Sequence, residues 1–341
     1  MSDLDETALS RWMGSISALP DTPVSIEKFS GGQSNPTYRI DAVEGKYVLR
    51  RKPFGPLLPS AHAVEREFEL LSALHPTGFP VPRPIALCQD PTVIGSAFYL
   101  MEMVEGRTFW DGALPDLSKA DRGHCYGAMI DVAARLHSID PGAICLGSFG
   151  RPGNYMQRQV ERWTRQYRLS QTDDVPEIEK LIEWLPRTLP EQSGVAIIHG
   201  DYRIDNLIFA PETPDVLAVL DWELATLGDP LADFTYLAMC WVLPSDGRAG
   251  LAGVDFAESG IPTLDEAVAR YCTASGRTDL PDLDWYFAYN LFRAAGIIQG
   301  IKRRLIEGNA SSSQALETVA KLPIFAQTAW AHARRAGAAD V

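Results

Sequence analysis

The amino-acid sequence reads as an α+β chain in two lobes, a small β-rich lobe followed by a larger helical one. Two patterns say so. Before residue 105 the apolar residues alternate in short runs separated by Gly and Pro turns. After it they recur at helical spacing over longer segments. A third sign is the break itself. Gly106, Gly112 and Pro115 interrupt the stretch 105–116, which puts the boundary there and divides the chain into 1–104 and 105–341.

The elements follow in order. Leu4, Leu9, Trp12 and Ile16 stand at helical spacing and predict a short amphipathic helix within 1–20. Residues 24–29 alternate apolar and polar, a Gly31-Gly32 turn follows, and 37–42 and 46–50 complete a hairpin and a third strand. Three prolines in 53–59 predict a loop. Over 62–74, Val64, Phe68, Leu71 and Leu74 share one helical face. Strand-like runs occupy 85–88 and 97–103. Helices are predicted over 118–138, 155–171, 175–185, 231–239, 263–275, 283–307 and 311–331. Two short apolar runs, 195–198 and 216–220, interrupt them.

The 341 residues suffice for about two domains. Thirty-one Lys and Arg against 44 Asp and Glu give a net charge of -13, which argues against general nucleic-acid binding and against an anionic membrane surface. The five cysteines are odd in number and none forms a CxxC pair, which speaks against a disulfide framework and a Cys-type zinc site. The stretch MSDLDETALS fits neither a secretory nor a transit signal. No apolar run reaches the ~18 residues needed to cross a bilayer. The expected setting is the reducing cytoplasm.

Both short apolar runs end at polar clusters. The first is His199-Gly200-Asp201-Tyr202-Arg203-Ile204-Asp205-Asn206; the second is Leu220-Asp221-Trp222-Glu223. The first has the form HxDxxxxN, and Asp221 follows Asn206 by 15 residues. Phosphoryl transfer needs a carboxylate beside the attacking hydroxyl and hard oxygen ligands for Mg²⁺. Asp201 suits the first task, and Asn206 and Asp221 the second. Asp and Asn are also ordinary loop residues, but four residue types at these spacings fit the chemistry better than a plain loop.

HGDYRIDNLIF followed by VLDWE resembles the catalytic and metal loops of the aminoglycoside phosphotransferase and choline kinase superfamily, the small-molecule branch of the protein-kinase-like fold. The resemblance runs from about residue 24 to about 300. Gly200 and Asp-Trp-Glu stand where protein kinases usually carry Arg and DFG. GGQSNPTYRI, YVLRRKP, PSAHAVEREFELL and DWELATLGDPLADF are similar to the phosphotransferase-like domains of acyl-CoA dehydrogenase family members 10 and 11.

The resemblance implies a bilobal protein-kinase-like fold that uses ATP and Mg²⁺. It puts Gly31, Gly32, Ser34 and Asn35 in a turn facing phosphate, where glycine lets backbone N–H groups approach. The usual strand lysine falls on Arg50, which can hold phosphate in bidentate fashion, and Glu67 becomes its helix partner. Glu102 and Met103 lie in the linker whose backbone meets adenine. Arg203 would neutralise the transferring group. Asp229 and Asp233 cap a helix and brace the loop, and His199 supports it. The acceptor is expected near Trp222 and Glu223, with Trp241, Trp285 and Tyr286 as further candidates. A hydroxy acid or hydroxyacyl derivative ranks first as acceptor, then an aminoglycoside, then a choline-like amine held by aromatic rings. The missing lysine keeps open a nucleotide-binding pseudokinase without turnover. The absence of DFG and of an APE-like segment counts against a Ser/Thr protein kinase.

Overall fold

Alternation in the first hundred residues produces a five-stranded antiparallel sheet, ordered β1-β2-β3-β5-β4. A computed structural model describes residues 4–16, 23–29, 35–43, 45–54, 63–245, 248, 250–308 and 313–339. Helix α1 (Glu6–Gly14) is capped by Asp5, which accepts from the Ala8 N–H. Then come β1 (Pro23–Lys28), β2 (Thr37–Ala42), β3 (Gly45–Arg51), α2 (Val64–Leu74), β4 (Pro84–Cys88) and β5 (Phe98–Glu102).

Successive side chains of a strand point to opposite faces, and the two faces differ here. Tyr38, Ile40, Leu49, Phe98 and Leu100 pack with Leu9 and Met13 of α1 into one apolar core. Trp12 meets Phe98 edge to face at 4.7 Å. Arg50 and Tyr99, paired across β3 and β5, occupy the intervening positions. Their side chains meet Glu67 of α2.

The chain then runs through α3 (Lys119–Ser138), α4 (Tyr155–Ser170), α5 (Pro176–Trp184) and β6 (Ala196–Ile198). A hairpin follows, β7 (Leu207–Phe209) and β8 (Val216–Val219), and then β9 (Thr226–Gly228), which pairs with β6. The last elements are α6 (Pro230–Val242), α7 (Phe256–Ser259), α8 (Leu264–Ser275), α9 (Asp284–Ile306), α10 (Ser313–Ala320) and α11 (Leu322–Arg335). The single helix expected over 311–331 is two helices, and Pro323 stands in the first turn of α11, where proline starts a helix but cannot continue one. Among the described residues no helix is long and apolar enough to cross a membrane.

These elements form two compact units. The first comprises Met1–Thr108, Gly142–Gly147 and Asn206–Ala225; the second comprises Phe109–Pro141, Ser148–Asp205 and Thr226–Val341. The β7–β8 hairpin thus belongs with the sheet, although the sequence groups it with the helices. The reason is local bonding. Val219 donates its N–H to Pro80 O at 2.8 Å, and Arg107 and Phe209 exchange backbone bonds of 2.7 and 2.8 Å. Arg107 also reaches Ala210 O and Thr213 O with its guanidinium.

Candidate active site

In the first unit the charged groups gather around Arg50. Its Nη2 donates to Asp221 Oδ1 at 2.9 Å, and its Nε lies 3.4 Å from Glu67 Oε2. That Nε is buried and makes no hydrogen bond. Glu67 is only 2% exposed and is fixed from two sides, by Asn35 Nδ2 at 2.9 Å and by the Tyr99 hydroxyl at 3.0 Å. Burial lifts the Glu67 carboxyl above its ordinary range, with Arg50 pulling the other way. Burial also works against the charge on Arg50, but Glu67, Tyr99 and Asp221 outweigh it and raise its pKa. The cation is therefore held charged inside the fold.

Asp221 follows β8 with φ 66° and ψ 61°, a left-handed conformation that an L-residue other than Gly, Asn or Asp seldom adopts. Leu207 pairs with Val219, and the Leu220 N–H reaches Asn206 O at 2.8 Å. Asn206 and Asp221 therefore stand at the same end of the hairpin. One carboxylate and one amide oxygen are hard donors and fit Mg²⁺, which takes few protein ligands beside phosphate and water. Among the described residues no group of three or more His, Cys, Asp or Glu would hold a metal by itself.

In the second unit the HxD loop is tied from below. Asp233, 3% exposed, accepts the backbone N–H of His199 at 2.8 Å and of Gly200 at 2.7 Å, and His137 Nε2 lies 3.1 Å away. Burial raises the Asp233 carboxyl, but His137, His199 and the backbone donors outweigh it and hold it below the usual range. Gly200 takes φ 82° to make the turn. Asp229 caps α6 through the Leu231 N–H and also holds Ser193. Asp201 receives the Tyr236 hydroxyl on Oδ1 at 2.6 Å. Arg203 is exposed, pairs with Asp205 and comes within 4.0 Å of Asp201 Oδ1.

Several expected site residues take other positions. Gly31, Gly32 and Ser34 lie outside the described residues. The Asn35 amide braces Glu67. Glu102 and Met103 donate their N–H groups to Arg83 O and Lys46 O, so these two donors are already taken. Trp222 corrects the acceptor expectation. It is 3% exposed, sits edge to face on Phe79 and donates its indole N–H to Val219 O, so it is core of the first unit. Glu223 follows it, half-buried, in the same 3-10 turn of that unit. Trp241 and Trp285 each give their indole N–H to an internal partner, and Tyr286 faces Asp229. The sequence reading missed Tyr99, Tyr236 and Arg293. Arg293 carried a signal, as the lone charge between Asp284 and Lys302.

Residues 25–272 match the phosphotransferase enzyme family. Acyl-CoA dehydrogenase family member 10 of Mus musculus is 43% identical over 337 residues, which is 98% of this chain and 32% of that protein. Family member 11 of Homo sapiens is 40% identical over 309 residues, 90% of this chain and 40% of that protein. The chain thus spans about a third to two fifths of the length of these relatives. A solved structure from Ralstonia eutropha JMP134, assigned as an aminoglycoside phosphotransferase, is 44% identical with a TM-score of 0.88 and covers 97% of this chain and 99% of its own. Spectinomycin phosphotransferase, solved with ADP and spectinomycin, is 13% identical with a TM-score of 0.63 over 96% of this chain and 98% of its own, and shares the fold.

Proposed function

The chain belongs to the phosphotransferase enzyme family, and on that premise we propose that it moves the γ-phosphoryl group of ATP, with Mg²⁺, to a hydroxyl of a small molecule. Asp201 orients that hydroxyl and takes its proton as the oxygen attacks phosphorus and ADP leaves. Tyr236 holds one oxygen of Asp201 and so fixes the plane of the carboxylate. Asn206 and Asp221 would hold Mg²⁺, which would supply positive charge to the phosphate oxygens. Arg50 stands in for lysine at the phosphates. Arg203, on the exposed side of the loop, offers charge to the transferring group.

The observation that carries this reading is the Arg50 constellation. A buried guanidinium is held between Glu67 and an Asp221 that lies 171 residues away in sequence and takes a left-handed backbone conformation. Likeness to the acyl-CoA dehydrogenase family members supports a hydroxy acid or hydroxyacyl derivative as the acceptor.

The test is nucleotide binding and slow ATP hydrolysis with and without Mg²⁺, for wild type, Asp201→Asn and Asp221→Ala. Binding should require Mg²⁺ in wild type, lose that requirement in Asp221→Ala, and persist without hydrolysis in Asp201→Asn. Absence of nucleotide binding in wild type refutes the proposal. Binding with no turnover of any hydroxyl acceptor favours the pseudokinase reading.

A further inference from the structure

We infer that the site takes a single Mg²⁺ with the nucleotide, and that the Arg50 guanidinium stands in place of a second ion. This rests on the kinase reading above and deepens it. Protein kinases hold two Mg²⁺ between an Asp and an Asn of the two corresponding loops. A carboxylate can serve two ions when both of its oxygens are open to them. Here one is taken. Asp221 Oδ1 accepts from Arg50 Nη2 at 2.9 Å. The described contacts of Asp221 end there, which leaves Oδ2 for a metal, and the side chain is 39% exposed.

Glu67 does not supply the missing oxygen. Its Oε1 takes the Asn35 amide, and its Oε2 takes the Tyr99 hydroxyl with Arg50 Nε 3.4 Å away. Arg50, Glu67, Asn206 and Asp221 all belong to the first unit. Among the described residues no group of three His, Cys, Asp or Glu offers a second metal position. Charge acts in the same direction. An arginine keeps its proton, and its fork of donors spans two carboxylates at once, whereas a lysine ammonium is a compact point charge. A second Mg²⁺ on Asp221 Oδ1 would sit beside that permanent cation, at the short range where like charges repel most. The guanidinium also offers what a second ion offers, positive charge beside the phosphates, and adds N–H donors for their oxygens. No described contact takes Nη1, so a donor remains for phosphate while Nε and Nη2 stay with the carboxylates. Arginine at the lysine position thus exchanges a metal ion for a fixed cation.

The experiment counts the Mn²⁺ bound to the full chain saturated with AMP-PNP, through the free-ion signal in electron paramagnetic resonance, for wild type, Arg50→Gln and Arg50→Lys. Wild type should bind one Mn²⁺ per nucleotide complex and leave further Mn²⁺ free. Arg50→Gln should bind a second ion, because Asp221 Oδ1 is freed and the charge beside it is gone. Arg50→Lys keeps a cation against Glu67 and should bind the second ion more weakly. Two ions in wild type overturn the inference. One ion in both variants overturns it as well; if the Gln variant does not fold, one ion in Arg50→Lys does so alone. AMP-PNP binding by wild type is measured alongside, with and without Mn²⁺. If binding requires Mn²⁺ and the count is two, only the single-ion assignment falls. If wild type binds no AMP-PNP, or binds it without Mn²⁺, the kinase reading falls with it.

Discussion

Replacing Asp233 by Ala removes the floor under the HxD loop, and the loss can be worked out from three contacts. Asp233 is buried, accepts two backbone N–H groups at 2.7 and 2.8 Å, and faces His137 at 3.1 Å. Hydrogen bonds to a charged group contribute about 1.5–3 kcal/mol each, and a donor left buried without a partner loses on the same scale. Removing one partner of a buried pair costs about 3–5 kcal/mol by an independent route. A loss of about 4 kcal/mol is therefore expected, a large part of the roughly 5–15 kcal/mol that holds a domain together. Urea unfolding at neutral pH measures it as a drop in midpoint at unchanged slope. Asp233→Asn should fall between, because it keeps one acceptor oxygen and turns an amide N–H toward a backbone donor. The carboxyl is held below its ordinary range, so its contribution is complete above the unfolded value of about 3.9 and is lost as pH falls through the lower folded value. Wild-type and Ala curves should therefore converge only below about pH 4. A loss under about 1 kcal/mol at neutral pH would refute the argument that these bonds hold the loop.

Other consequences are as direct. Glu67→Gln should weaken nucleotide binding about tenfold or more and lower the melting temperature, because it leaves the Arg50 cation with one carboxylate in place of two; calorimetric titration and a thermal melt check both. Gly106→Ala should destabilise by about 1–3 kcal/mol, since a Cβ there runs into the Phe209 carbonyl and the Ile208 side chain; equal unfolding midpoints would contradict it. Burial lowers the His332 pKa despite Asp284 beside it. The unfolded chain then takes up the proton first, so stability should decline as pH drops below about 6.5, and His332→Gln should flatten that slope between pH 7 and 5.

Much of this was legible from residue order, and the exceptions have physical causes. Alternation located β2, and apolar spacing located α2, because burial on one face leaves a period in the sequence. A strand of three residues such as β9 leaves none; it exists because β6, well before it in the chain, supplies its hydrogen bonds. That Asn206 and the later Asp221 stand at one end of the β7–β8 hairpin was readable from chemistry and spacing. Trp222 was not, because its burial is set by Phe79, more than a hundred residues earlier. Arg50 was assigned by strand position, and the same alternation sends Arg51 to the opposite face, where its guanidinium lies 3.8 Å over the Phe54 ring. Tyr236 has an ordinary place in an apolar helix, and only the folded chain shows its hydroxyl on Asp201. Arg293 was visible as an isolated charge in an apolar helix, but that it donates to Gly200 O of the HxD loop shows only in the folded chain.

The first unit is assembled from three separated stretches, the last ending at Ala225. During synthesis the sheet strands leave the ribosome early, yet the hairpin that bonds to Pro80 and Arg107 is still unmade. Co-translational folding of this unit therefore cannot finish until Ala225 has been translated. A fragment cut after residue 104 would carry the strands without their hairpin and should behave as an incomplete body. Split-protein or permuted versions would do better with ends placed outside 206–225 than at the boundary that composition suggests.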